Sequence, residues 1–123
     1  MLELYKLLAS IIDPICPCFV DHYPETETTV YPYVTIKASA IPNNSFSDNN
    51  LLEVDVWSVK GPDITECETI TTAIHKELNR LQVNNADFNL SINRNTPHIL
   101  PLDDVILHVI RRQLRYVCTI YEK

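Results

Sequence analysis

The sequence predicts a single α+β domain over residues 1–123, in which four strands and two helices follow the order α-β-β-α-β-β. Residues 52–57 and 87–93 alternate apolar and polar side chains, as half-buried strands do. Two other segments carry apolar residues at helical spacing. Half-buried strands favour a mostly antiparallel four-stranded sheet with both helices on one face.

The first helix is predicted for the apolar segment that ends before Asp13-Pro14. Its stripe consists of Leu2, Tyr5, Leu8 and Ile12. Residues 15–18 are too rich in proline to continue a helix. Residues 23–29 are polar and indicate a loop.

The first two strands are predicted at about residues 30–40 and at residues 52–57, with a polar loop at 43–50 between them. Pro32 places the start of the first strand at a sheet edge, because proline cannot donate to the ladder. The Gly-Pro pair at 61–62 ends the second strand.

The second helix is predicted to begin at Asp63, with Glu66 completing a capping pattern. Its apolar stripe consists of Ile64, Cys67, Ile70, Ile74, Leu78 and Leu81. We expect this helix to pack on the strand at residues 52–57, and the pair to nucleate the domain.

The third strand is predicted at residues 87–93, followed by a loop that holds Pro97, His98 and Pro101. The last strand is predicted at residues 105–121, whose even positions are the more apolar ones. A helix over residues 105–114 is the competing interpretation.

The sheet face away from the helices is the predicted functional surface. Acidic side chains of one strand are expected beside basic side chains of another, at about 0.2–1 kcal/mol per pair. Trp57 favours an interface, because a large aromatic ring among polar neighbours is costly to leave in water. The candidate subunit or partner interface consists of Tyr33, Glu53, Asp55, Trp57, Arg111 and Arg115.

The composition excludes several function classes. The net charge of −6 argues against a surface that grips nucleic-acid phosphates. One glycine can hardly build a phosphate-binding loop, and no nucleophile elbow or zinc-protease motif occurs. No apolar run approaches the roughly 20 residues that cross a bilayer, and no signal-peptide cleavage site follows the N-terminus. We therefore expect a cytoplasmic protein that is not an enzyme.

One local cluster offers metal ligands. Cys16, Cys18 and His22 lie within seven positions, but structural zinc needs four ligands and no fourth is evident. Cys67 and Cys118 are expected to be reduced core residues. Neither a metal nor another cofactor is predicted.

Several sequence pieces occur in an order typical of one family. A short N-terminal helix precedes Tyr-Pro-Tyr at 31–33, then Val-Trp-Ser at 56–58, a helix, and a closing strand with His108 and Arg112. From about residue 2 to residue 121, this order resembles the tail terminator, or tail-to-head joining, proteins of long-tailed bacteriophages. The resemblance implies a non-enzymatic subunit that closes with its own copies into a ring, six-fold, on the tail tube.

In that role the ring would stop tube growth and present a surface to the head-completion or connector protein, while DNA passes through the lumen without specific binding. The resemblance places the chain in the tail or neck of the virion, and in the host cytoplasm during assembly. Two alternatives remain open. One is another head-tail completion or minor structural phage protein. The other is a small metal-binding module or hydrolase that uses Cys16, Cys18 and His22.

Overall fold

The computed structural model describes residues 2–21, 31–41, 48–59, 65–85, 88–101 and 109–122. Within them lie two helices, α1 (Leu2–Ile12) and α2 (Thr65–Leu78), and six strands. The strands are β1 (Cys18–Val20), β2 (Tyr33–Ile41), β3 (Asp48–Val59), β4 (Gln82–Asn84), β5 (Phe88–Pro101) and β6 (Val109–Glu122). Along the chain the order is α-β-β-β-α-β-β-β.

The strands form one curled sheet, a half-barrel, in the order β1-β2-β3-β6-β5-β4. β1 is parallel to β2, and all other neighbours are antiparallel. The predicted order α-β-β-α-β-β and the predicted mostly antiparallel four-stranded sheet are therefore wrong, because the sheet is mixed and has two more strands. Both added strands lie at its edges.

Short strands and prolines explain this error. β1 and β4 have three residues each, too few to show an alternating pattern. β5 continues through the predicted loop as far as Pro101, with a register shift between Arg94 and Ile99. Proline is tolerated at edges and irregularities of this kind. The helical alternative for residues 105–114 is wrong from Val109 onward, and residues 105–108 lie outside the described part.

α1 ends at Ile12 as predicted and contributes three buried residues to the core, Leu4, Leu8 and Ile12. The predicted stripe is correct for Leu8 and Ile12, whereas Tyr5 is partly buried and Leu4 replaces it in the core. The three buried residues belong to the same buried cluster as the inward side chains of β2, β3 and β6. Tyr5 ties the helix to β2, because its hydroxyl accepts a hydrogen bond from the Ala38 amide at 3.1 Å.

α2 begins at Thr65 in the described chain, and the predicted cap at Asp63 lies outside it. Glu66 and Glu68 occupy its first turn, where negative charge favours the helix dipole. The buried stripe consists of Cys67, Thr71, Ile74 and Leu78. It joins the same core cluster as α1, so both helices pack with the apolar face of the sheet.

Candidate functional site: a polar-aromatic sheet face

Nine positions of β2, β3 and β6 share the sheet face opposite the helices, because side chains directly across an antiparallel pair point to the same face. The first row holds Tyr33, Trp57 and Arg111; the second holds Thr35, Asp55 and Gln113; the third holds Lys37, Glu53 and Arg115. We call these nine residues the polar-aromatic face. All six side chains predicted as the interface, Tyr33, Glu53, Asp55, Trp57, Arg111 and Arg115, belong to it.

The first row is a stack of planar groups. The Tyr33 and Trp57 rings are nearly parallel, at 13°, with centroids 5.9 Å apart. The guanidinium carbon of Arg111 lies 4.6 Å from the Trp57 ring centroid, within cation–π range. Trp57 also donates its indole N–H to the Thr35 hydroxyl at 3.1 Å. Tyr33, Arg111 and Thr35 thus all contact the indole.

This arrangement changes what Trp57 implies. A platform for a nucleobase or a sugar needs a free aromatic face, and Tyr33 and Arg111, on the two strands that flank β3, occupy part of the ring surface of Trp57. These contacts also shield part of the Trp57 ring from water. Trp57 by itself is therefore a weaker argument for an interface than the sequence suggested.

Two further aromatic side chains extend the stack toward the edge of the sheet. Phe19 of β1 meets Tyr33 edge-on, with centroids 6.3 Å apart. Tyr31 lies beside Tyr33 at 5.4 Å. Sequence reasoning missed both. Tyr31 could have been included because it stands two residues before Tyr33 in the Tyr-Pro-Tyr piece. Phe19 could not, because its strand has three residues and shows no alternating pattern.

Polar contacts between β3 and β6 link each row to the next. Arg111 Nε lies 3.0 Å from Asp55 Oδ1, so the expected contact between acidic and basic side chains of the two strands is confirmed for this pair. Gln113 donates from Nε2 to Glu53 Oε2 at 2.8 Å. Glu53 and Arg115 are direct register partners. Because Asp55 and Gln113 are buried, at 8% and 7% exposure, these contacts are held in place by their surroundings.

Arg112 belongs to the other side of the sheet. Its Nε lies 2.8 Å from Glu68 Oε1, so it ties β6 to the first turn of α2. A second link between the sheet and this helix is the 3.0 Å hydrogen bond between His75 Nδ1 and the Tyr116 hydroxyl. Arg112 is therefore separated from Arg111, and the three arginines of β6 do not form one basic patch.

The predicted metal cluster is described only in part, because His22 lies outside the described residues. Burial, followed by the charges of Glu66 and Asp13, raises the pKa of the Cys16 thiol to about 11. Burial and Asp13 raise the pKa of Cys18 to about 12. Zinc is bound by thiolate, which these environments disfavour. Among the described residues, no group of three or more His, Cys, Asp or Glu side chains could hold a metal ion.

The raised thiol pKa values predict a loss of stability at alkaline pH. Burial also raises the pKa of Cys118 from 9.0 to about 12. A thiol that binds its proton more tightly when folded stabilises the fold below its unfolded pKa, and this contribution disappears as the pH rises toward the folded value. We expect the melting temperature to fall from about pH 9 upward, and to fall less steeply in Cys118→Ala. Equal slopes in the two proteins would contradict this attribution.

One open groove lies away from the polar-aromatic face. It has a volume of about 450 Å³ and is lined mainly by amide and hydroxyl side chains of β4, β5 and β6: Gln82, Val83, Asn84, Asn89, Leu90, Ser91 and Thr119. None of these lining residues titrates near neutral pH, so the groove offers no general acid or base.

No protein-family model matches this chain, and no curated protein is significantly similar to it. Within the described residues, neither helix is long and apolar enough to cross a membrane.

Proposed function

We propose that this chain is a structural subunit that assembles with copies of itself into a ring on the end of a phage tail tube. The ring ends tube growth and joins the tail to the head-completion or connector protein, and the chain catalyses no reaction. The observation that carries the proposal is the polar-aromatic face, on which internal contacts already order the side chains.

Such order favours binding by a surface. Immobilising a flexible side chain at an interface costs about 0.5–1.5 kcal/mol. Trp57, Arg111 and Asp55 already hold one another in place, so little of this cost remains when a partner arrives. The face also carries both signs of charge, including exposed Lys37 and partly exposed Glu53, which favours specific orientation of a partner.

The pieces of sequence that carry the resemblance to tail terminators lie side by side in space. Tyr33 from the Tyr-Pro-Tyr piece stacks on Trp57 from the Val-Trp-Ser piece. Two segments far apart in sequence thus build one surface. The net charge of −6 suits a conduit through which DNA passes without being retained.

We expect the purified chain to shorten tail tubes when it is present during polymerisation of the tail tube protein of the same particle. Tube lengths and end densities can be measured in negative-stain images. Lys37→Glu reverses an exposed charge of the face and should weaken capping. Lys6→Glu, the same charge reversal at an exposed position of α1, is the matched control.

Unchanged tube lengths with bare ends would contradict the proposal. Binding to the head connector without any effect on tube growth would instead favour a head-completion protein. The tail or neck of the virion is the proposed location, with the host cytoplasm as the site of assembly.

A further inference from the structure

One apolar row crosses five of the six described strands, from β1 to β5, on the helix side of the sheet. Each member is the register partner of the next one across the sheet: Val20, Ile36, Val54, Leu114 and Ile99. The three inner residues are fully buried, whereas Val20 and Ile99 at the two ends are each 44% exposed. In the described part of the chain, these two are the large hydrophobic side chains that remain exposed.

Within the described ranges, no strand covers either sheet edge at the level of this row. β4 pairs only with residues 89–91 of β5, near the other end of that strand. Among the described residues, no strand pairs with the outer side of β5 at Ile99. On the opposite edge, β1 is the outermost strand and covers only residues 34–36 of β2. β1 thus lies at the same level of the sheet as the part of β5 around Ile99, with which β4 does not pair.

Strand directions also match. β1 runs with β2, and each later neighbour reverses direction, so β1 and β5 are antiparallel to each other. The amide of Asp21 donates to Ile36 O, and Pro17 O accepts from Val34 N. Because backbone groups alternate along a strand, the N–H and C=O of Val20 point away from β2. A neighbouring strand could therefore bond to them.

We propose that the β1 edge of one copy joins the open β5 edge of the next copy, with Val20 packed against Ile99. The inference rests on the proposed ring, since it requires copies that meet head to tail. Such a contact joins two different patches, as cyclic assemblies do. Since both ends lie on one row, successive copies are not displaced along their strands, which favours a closed ring over a helical filament.

Two features of the edge strands keep the proposed joint short. The Cys18 amide donates to Asp13 Oδ1 at 3.1 Å, so it is not available to a neighbour. Pro101 has no N–H to donate. These features limit pairing to a few residues, and such limits protect edge strands against uncontrolled aggregation. Closure of the ring, in which every copy makes two joints, supplies the cooperativity that one joint lacks.

The test uses native mass measurements on the full chain. Val20→Lys and Ile99→Lys should each abolish the ring, because each places a charge in the joint. Mixing the two variants should give nothing larger than a heterodimer, since each retains one intact edge and the pair can form one joint. Circular dichroism should show both variants folded, because both positions are exposed. Thr72→Lys, exposed on α2, should keep the wild-type mass.

A double variant, Val20→Lys with Ile99→Glu, should restore the ring, because opposite charges then meet across every joint. Rings that persist in either single variant would overturn the edge assignment and leave the proposed function standing. A wild-type chain that stays monomeric and gains mass only with tail tube protein would assign the edge to that partner, and would also overturn it. A monomer that binds neither itself nor the tube would overturn both proposals.

Discussion

Replacing Trp57 with alanine is expected to destabilise the folded chain by about 3 kcal/mol, the lower end of the range for losing a large aromatic side chain, because Trp57 is partly exposed. The substitution removes the stack on Tyr33, the ring beneath Arg111 and the hydrogen bond to Thr35. Urea denaturation followed by circular dichroism measures the effect. In a chain of this length, the melting temperature should fall by about 10 °C.

Trp57→Phe is the matched control. It keeps an aromatic ring between Tyr33 and Arg111 but loses the indole N–H that bonds to Thr35. We expect a loss of about 1 kcal/mol, the size of one hydrogen bond with part of the packing. If the alanine variant lost no more than the phenylalanine variant, the stack would not contribute to stability as described.

Arg111→Glu is expected to cost about 2 kcal/mol of folding free energy. The new carboxylate would face Asp55, which is buried and loses its partner, and the cation over Trp57 would be gone. Lys37→Glu, a charge reversal at an exposed position of the same face, should change stability by less than about 0.5 kcal/mol. Equal effects of the two reversals would contradict the buried pairing of Arg111 with Asp55.

The expected loss of stability in Arg111→Glu affects the choice of variants for assembly experiments. From the sequence alone, reversing the charges of Arg111 and Arg115 should block ring assembly and leave the monomer folded. The contacts of Arg111 with Asp55 and Trp57 show that its reversal also perturbs the fold. Lys37 is the cleaner position at which to test the face.

The long periodic elements could be predicted from the sequence. α1 ends at Ile12 as expected, because an amphipathic stripe meets a proline there. The four long strands were each placed within their observed segments or close to them. β1 and β4 could not be predicted, since three residues show no period and their pairing depends on distant partners.

Membership of the polar-aromatic face was predictable, whereas its contacts were not. Alternation alone places Glu53, Asp55 and Trp57 on one side of a strand. Which partner each one meets depends on the pairing of β3 with β6, two strands that are far apart in sequence. In that register Glu53 lies opposite Arg115 and Asp55 opposite Gln113. The side chains bond diagonally, Glu53 to Gln113 and Asp55 to Arg111, and neither contact can be read from a local pattern.

The most direct measurement of the central claim is a set of electron images of the purified wild-type chain. If the chain works by assembling with itself, the images should show closed rings with a central lumen, all of one symmetry. A solitary molecule at every concentration, carrying a metal bound through Cys16, Cys18 and His22, would contradict that account.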